Sequence, residues 1–405
     1  MTCCCRTGRP QMSSRPLSGL GPVLLTVLVD LIGFGLVIPL LTFYSEDYGA
    51  TPTQVTLLMA VYSLAQFLFA PVWGQLSDTY GRRPIMLFSI AGTALTLIGF
   101  AAANQLWLLF VFRTLNGACA ANIATAQAYV ADMTTPENRA RGMGMIGASF
   151  GVGLSLGPWM GGELSQFGYV VPIWAAAALS GVNLIWAWFR LPESLDRTGG
   201  NRPRRTIDPR VVSRALRHPV VGAAISLTFV ATFAFAMMEA TFTLVAEHAW
   251  HMSAQQVGRI FGLIGLIGIA IQGGLIGRLV QIFGEHRLVS AGYLLTASGL
   301  SVLGFTTSGL GIYGGCALLA TGMSLSNPSL QSIISKGADP SEQGSVLGAN
   351  QSLSALARAL APTAGGLLFS TWFMGGAFVA GALLMLVALV IAARLKAPAT
   401  AASFP

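Results

Sequence analysis

Apolar runs recur from end to end of this 405-residue chain. Each is close to the ~20 residues that a helix rising ~1.5 Å per residue needs to cross ~30 Å of hydrocarbon. Their length and their lack of period-2 alternation exclude a β-barrel, since in lipid only helices or closed barrels pair every backbone N–H and C=O. Twelve runs are placed, at 19–43, 55–75, 84–103, 105–131, 141–165, 169–190, 219–245, 255–279, 287–306, 308–335, 344–369 and 372–394. The expected fold class is an all-α membrane protein with twelve transmembrane helices. Soluble domains are ~25% charged, whereas this chain is 9% charged and 54% hydrophobic. The residues before Gly19 are polar and carry no small-residue cleavage site, which reads as a tail ahead of a first membrane helix.

The basic residues orient the bundle. Of the 23 lysines and arginines, Arg113 and Arg358 fall inside runs and Arg259 lies near a loop on one side. All the others lie on the other side if the N-terminus is inside. That asymmetry predicts an even number of spans in the cell membrane with both termini cytoplasmic. The net charge of +8 is then topological, and no nucleic-acid partner is implied; lipid is the partner, and the chain is read as a monomer.

The longest polar stretch, 191–218, contains "RTGGNRPRR" and divides the runs six and six. The organisation expected is a tail at 1–18, a six-helix bundle at 19–190, a linker at 191–218, a second bundle at 219–396 and a tail at 397–405. The halves echo one another: "GQLSDTYGRR" at 74–83 matches "GRLVQIFGEH" at 277–286 with an offset of 203 residues, and "GPWMGG" at 157–162 matches "APTAGG" at 361–366. Such half-length repeats are characteristic of transporters in which two related bundles rock about a central site.

Four ionisable residues fall well inside runs: Asp30, Arg113, Glu239 and Arg358. Charge in a membrane is costly, ~2.5–3.5 kcal/mol near a helix centre on insertion scales, so such residues face a cavity or pair with one another. Asp30 and Arg113 are read either as a structural ion pair or as a proton and substrate switch. Glu239 lies on a stripe with Thr232, Phe235 and Phe242, which is either core packing or a seat for the cationic end of an organic molecule. Arg358 pairs with Glu239 or with substrate. The expected proton-coupling residues are Asp30, Arg113 and Glu239; the expected substrate contacts are Phe34, Asn116, Phe235, Glu239, Phe242 and Arg358.

Other chemistries find little support. "GASFG" at 147–151 satisfies G-x-S-x-G but lies inside a membrane run without a preceding strand. Glu247, His248 and His251 lack H-E-x-x-H order, so no metal site is expected. No G-x-x-x-x-G-K-[ST] occurs, and no cofactor is expected. Cys119 and Cys316 read as packing residues, and Cys3, Cys4 and Cys5 are assigned no role.

"GQLSDTYGRRP", Gly74 to Pro84, resembles the G-x-L-x-D-x-x-G-R-[RK] motif between helices 2 and 3 of the major facilitator superfamily. "GLSLGPWMGG", Gly153 to Gly162, resembles the helix-5 motif of its drug/proton antiporters. Arg113 with Gly117 is similar to their helix-4 arginine motif, and "DLIGFGLVIP" from Asp30 resembles the tetracycline-efflux branch. The resemblance covers nearly the whole chain, most strongly from Asp30 to Gly162. It implies two pseudo-symmetric six-helix bundles. In the hairpin, Gly74 and Gly81 supply the turn and Arg82 and Arg83 hold it on the cytoplasmic side. By resemblance Asp78 is a latch toward the start of the eleventh run near Gly344, and Arg82 with Asp132 completes a charge network. Gly153, Gly157, Pro158, Gly161 and Gly162 imply close backbone approach and a bend that seals the bundles against proton leak. Tetracycline carriers of that branch have further acids where Thr96 and Thr296 stand here, which argues for a different ligand geometry.

The function expected is export of small amphipathic compounds in exchange for protons, by alternating access through a cavity lined mainly by helices 1, 4, 7 and 10. The alternative is a proton-coupled uptake symporter on the same fold. No catalytic constellation points to an enzyme.

Overall fold

The computed structural model describes residues 20–120, 122–134, 136–194, 213–214, 216–338 and 343–394. Both expected tails and most of the expected linker lie outside them. Among the described residues the chain is helix and short connections, in twelve rods. The first half comprises α1 (Gly21–Glu46), α2 (Pro52–Tyr80), α3 (Arg82–Ala101), α4 in two pieces (Leu106–Cys119 and Asn122–Met133), α5 (Pro136–Leu164) and α6 (Val171–Arg190). The second comprises α7 (Pro219–His248), α8 (Ala254–Phe283), α9 (Glu285–Phe305), α10 (Gly309–Gly337), α11 (Gln343–Thr371) and α12 (Gly376–Arg394). Ten rods are long and apolar enough to cross a membrane. The other two are α4, which is broken, and α5, which is rich in glycine.

The break in α4 has a local remedy. A carbonyl freed from a helix inside hydrocarbon needs another donor. Trp73 Nε1 of α2 donates to Ala118 O at 2.6 Å, Ser89 of α3 to Cys119 O at 2.5 Å, and Gln66 of α2 to Ala120 O at 3.5 Å. Three side chains from two neighbouring helices thus make the interruption tolerable.

The two halves repeat one another in detail. Thr51 with Gln54 closes a capping box at the start of α2, and Ser253 with Gln256 does the same for α8. At the opposite end the α2–α3 hairpin turns at Gly81 with φ +112°, and the α8–α9 hairpin at Gly284 with φ +77°. Both angles favour glycine. This second end, which carries Arg82, Arg83, Arg190, Arg278, Arg287 and Lys336, is called the basic end here.

Within the first bundle α5 packs along α1. The approach is one that no side chain would permit: a Cβ on Gly153 would lie 2.5 Å from Leu31 Cβ, and one on Gly157 would lie 2.6 Å from Ile32 O. Gly161 meets Leu36 in the same way, so the three glycines, four residues apart, form one face. The next face of α5 meets the other bundle: a Cβ on Gly162 would lie 2.8 Å from Gly258 Cα, and one on Gly258 would lie 2.5 Å from Pro158 O.

Among the described residues the contacts between bundles lie away from the basic end. They run along α5 and α8, from Ser155 against Gly262 and Gly265 to Glu163 against Arg259, and along α2 and α11, from Thr56 against Gly366 to Thr53 against Ser370. Toward the basic end Gly74, Gly144, Gly147, Gly151, Gly273, Gly274, Gly277 and Gly348 have open space where a Cβ would stand. The bundles are closed at the far end and parted at the basic end.

These contacts predict opposite outcomes for two glycines of one helix. Gly157→Val, which must displace Ile32, is expected to destabilise the protein by about 1–3 kcal/mol. Gly144→Ala, which meets nothing, is expected to be neutral or to stabilise by up to about 1 kcal/mol through helix propensity. Unfolding midpoints of the purified variants in detergent check both.

Candidate functional site

The site is best built outward from Tyr62 on α2, which sits between the ionisable residues of both bundles. Arg113 is 4% exposed and its guanidinium lies 4.4 Å from the Tyr62 ring centre and 5.8 Å from that of Phe34. The two rings are themselves 5.3 Å apart. A planar cation over aromatic faces gains quadrupole attraction where water is excluded. Among the described residues Arg113 has no carboxylate within ion-pair distance, and its Nε has no hydrogen-bond partner.

Asp30 therefore does not form the static ion pair with Arg113 that was one reading of the sequence. Its Oδ2 accepts from Asn122 Nδ2 at 2.8 Å, and its Oδ1 has no partner. Asn122 is the first residue of the second piece of α4. The break in α4 thus brings an amide and the positive end of a half-helix to the carboxylate, a combination that favours negative charge.

From the second bundle, Glu239 on α7 and Arg358 on α11 carry opposite charges near enough to act on one another, and Arg358 also lies near Tyr62. Arg358 has a large accessible surface although it lies within reach of these inward groups. Five polar groups from α1, α2, α4, α7 and α11 thus converge. The expected lining, mainly helices 1, 4, 7 and 10 with Arg358 of the eleventh run, is joined here by α2 through Tyr62.

Two expected substrate contacts lie elsewhere. Phe242 is fully buried in the core of the second bundle, among Trp250, Phe261 and Phe378 with ring centres 5.4–6.3 Å away. Its i+3 spacing from Glu239 held, but the helix end it occupies is closed. Asn116 donates to Thr96 Oγ1 at 2.7 Å in the α3–α4 interface and is 7% exposed. Phe34 flanks Arg113 as described, and Phe235 is half-buried against the second bundle's core.

At the basic end the structure brings Asp78, Arg82 and Asp132 together. Arg82 is 4% exposed, pairing with Asp78 at 2.5 Å and Asp132 at 3.1 Å and donating to Ser77 Oγ at 2.6 Å. Asp78 is 41% exposed. Its expected partner near Gly344 lies among residues whose surroundings are not described. Glu193, which sequence reading passed over, accepts from the backbone N–H of Arg82 at 2.9 Å and of Arg83 at 3.3 Å, capping α3. Arg83 donates to Trp188 O at 2.6 Å. Thr96 and Thr296 both bond back to their own helices, at Gly92 O and Gly292 O, and Thr296 packs on Gly322. Both are buried in these interfaces.

Tyr62 and Asn122 also escaped the sequence reading. The available signals were faint: a phenol within an apolar run, and a lone amide after "ACAA".

Comparison with known proteins agrees with this geometry. The family profile described as Major Facilitator Superfamily matches residues 23–362 and also 224–404. A class C tetracycline resistance protein of Escherichia coli is 33% identical over 91% of this chain and 94% of its own. A class G tetracycline resistance protein of Vibrio anguillarum is 32% identical over 92% and 96%. Among solved structures, the human organic anion transporter MFSD10 superposes with a TM-score of 0.70 at 25% identity, over 92% of this chain and 98% of that one. With a glycine-sealed pair of six-helix bundles, an interbundle charge cluster and relatives across its whole length, the chain belongs to the major facilitator superfamily, a family of membrane transporters, on its tetracycline-efflux branch.

Proposed function

We propose that this protein exports small amphipathic compounds across the cell membrane in exchange for protons, and that the conformation described is the inward-open one. The observation that carries the reading is Arg113, buried over Tyr62 with no carboxylate partner among the described residues, while Arg358 of the other bundle lies near the same phenol. A charge left unpaired at that depth is costly unless something arrives to meet it. By the positive-inside rule the basic end is cytoplasmic, both termini with it, so the cleft collects substrate from inside. Relatives named for tetracycline resistance and one named for organic anion transport support a drug-sized, partly charged cargo. Because Thr96 and Thr296 are committed to helix packing, the ligand is held differently from tetracycline in its own carriers.

In this scheme Asp30 is the proton carrier. With one oxygen held by Asn122 and the other bare, it has a vacancy for a proton arriving from the far side once the bundles rock. Substrate leaves as the proton binds. The drive is about 2.3 kcal/mol per elementary charge per 100 mV. A tenfold gradient requires about 1.4 kcal/mol, so one proton sustains an accumulation of tens-fold.

The deciding experiment is flux in proteoliposomes under an imposed pH gradient. Substrate leaving against the proton flow supports export, and substrate moving with the protons supports the uptake symporter instead. Asp30→Asn is expected to bind substrate within about threefold of the parent while losing proton-driven accumulation; undiminished accumulation rejects its role.

Asp78 is proposed to reach the start of α11 when the basic end closes. Asp78→Asn is therefore expected to raise the inward-open fraction, read as greater labelling of cysteines introduced at Gly74 and Gly348. An unchanged ratio of inner to outer labelling counts against the latch.

A further inference from the structure

At the closed far end, α1 and α7 finish side by side, and three side chains converge there: Glu46 from the first bundle, and Glu247 and His248 from the second. One ligand atom from each lies within 4.8 Å of the other two, and His248 Nε2 is 3.0 Å from Glu46 Oε1. Glu247 Oε2 is buried with no hydrogen-bond partner. Asp47 adds a further negative charge. The far end has almost no cation to offset them, because the basic residues are gathered at the other end and Arg259 is engaged 2.7 Å from Glu163. Two carboxylates held together with one bare oxygen and an imidazole make a cradle that lacks positive charge.

We propose that Glu46, Glu247 and His248 form a binding site for a divalent transition-metal ion of the zinc type, which clamps the two bundles together at the outer mouth. One imidazole nitrogen and two carboxylate oxygens, with water as a fourth ligand, match the tetrahedral N/O preference of Zn2+. Ligand atoms around such an ion stand roughly 3.3 Å apart; His248 Nε2 and Glu46 Oε1 are already 3.0 Å apart, and a Glu247 oxygen lies within 4.8 Å of both. The imidazole argues against Mg2+, which takes six oxygens. His248 is 38% exposed, which leaves the site open to ions outside the cell. Because the ligands come from both bundles, the ion binds the closed far end and not the opened one, and so holds the transporter inward-open. No H-E-x-x-H spacing announces the site, since its third ligand stands some two hundred residues earlier in the chain.

The test titrates the purified full chain in detergent with ZnCl2 by calorimetry, with and without Cys3→Ser, Cys4→Ser and Cys5→Ser to remove the tail thiols. A single zinc per chain is expected to remain in the serine background. His248→Ala, Glu46→Gln and Glu247→Gln are each expected to weaken it by about tenfold or more, while His251→Ala and excess Mg2+ leave it unchanged. External zinc is also expected to slow substrate flux by the parent but not by Glu46→Gln, each referred to its own zinc-free rate. Absence of zinc binding in the serine background, or equal binding by the three ligand variants, overturns the site. Binding without any effect on flux overturns the clamp. The calorimetric readout stands whether or not the direction of transport proposed above is upheld.

Discussion

Hydrocarbon offers no hydrogen-bond partner, and the polar interior between these bundles is organised around that constraint. The break in α4 illustrates it. Three carbonyls lose their helical donors and are met by Gln66, Trp73 and Ser89. What the break provides in return is a helix start at Asn122, placed against Asp30. Without neighbours to receive those carbonyls the interruption would be too costly, and without the interruption Asp30 would lack its amide donor. Among the described residues, the buried polar atoms that remain bare include Asp30 Oδ1, Arg113 Nε, Asn122 Oδ1 and Thr125 Oγ1 on α1 and α4, and others on α6, α7 and α11, such as Asn183 Oδ1, Glu247 Oε2 and both polar side-chain atoms of Asn350.

The pseudo-symmetry of the halves extends to their electrostatics, but with the sign reversed. After Gly81, Arg82 reaches Asp132 on α4. After Gly284, at the equivalent place in the second half, Glu285 reaches Lys336 on α10 at 2.7 Å and also accepts from Ser332. Each hairpin is tied to the helix that follows it by one ion pair, with acid and base exchanged. A duplicated scaffold that keeps the pair and swaps its members preserves geometry while letting the surrounding charge differ. In the first half a second acid, Asp78, joins the network and remains half-exposed, which leaves it available to a partner across the opening.

Much of this was legible in the sequence, and for physical reasons. Run length gave the helices, since the bilayer fixes the element size. Gly81 marked the α2–α3 hairpin because only glycine adopts its φ readily, whereas Gly74, read with it as part of the turn, lies inside α2. The helix-5 glycines announced close approach, and Gly153, Gly157 and Gly161 do meet α1 without intervening side chains. Helical spacing misplaced Phe242, because periodicity gives a face but not whether that face meets a cleft or a core at a given depth. Asn116 was read as a substrate contact for the same reason, whereas it serves the α3–α4 interface. Tyr62, Asn122 and Glu193 were missed because each acts through a tertiary partner far away in the chain, and a single sequence carries no record of such pairs.

The closure of the far end is held by contacts of a particular kind. Gly162 on Gly258, Thr56 on Gly366 and Ser155 on Gly265 bring backbones close, where each atom pair contributes only ~0.1–0.2 kcal/mol. Beside them Leu40, Phe43 and Val55 of the first bundle join the buried core of the second. The Glu163–Arg259 pair is exposed to solvent and screened by salt. On the proposed alternating-access reading, the small residues give a close fit that can part, since a ligand can shift an equilibrium only by its differential affinity for the two conformations. On the same reading the ion pairs of Arg82 and Glu285 lie within bundles because bodies that rock must keep their own strong contacts.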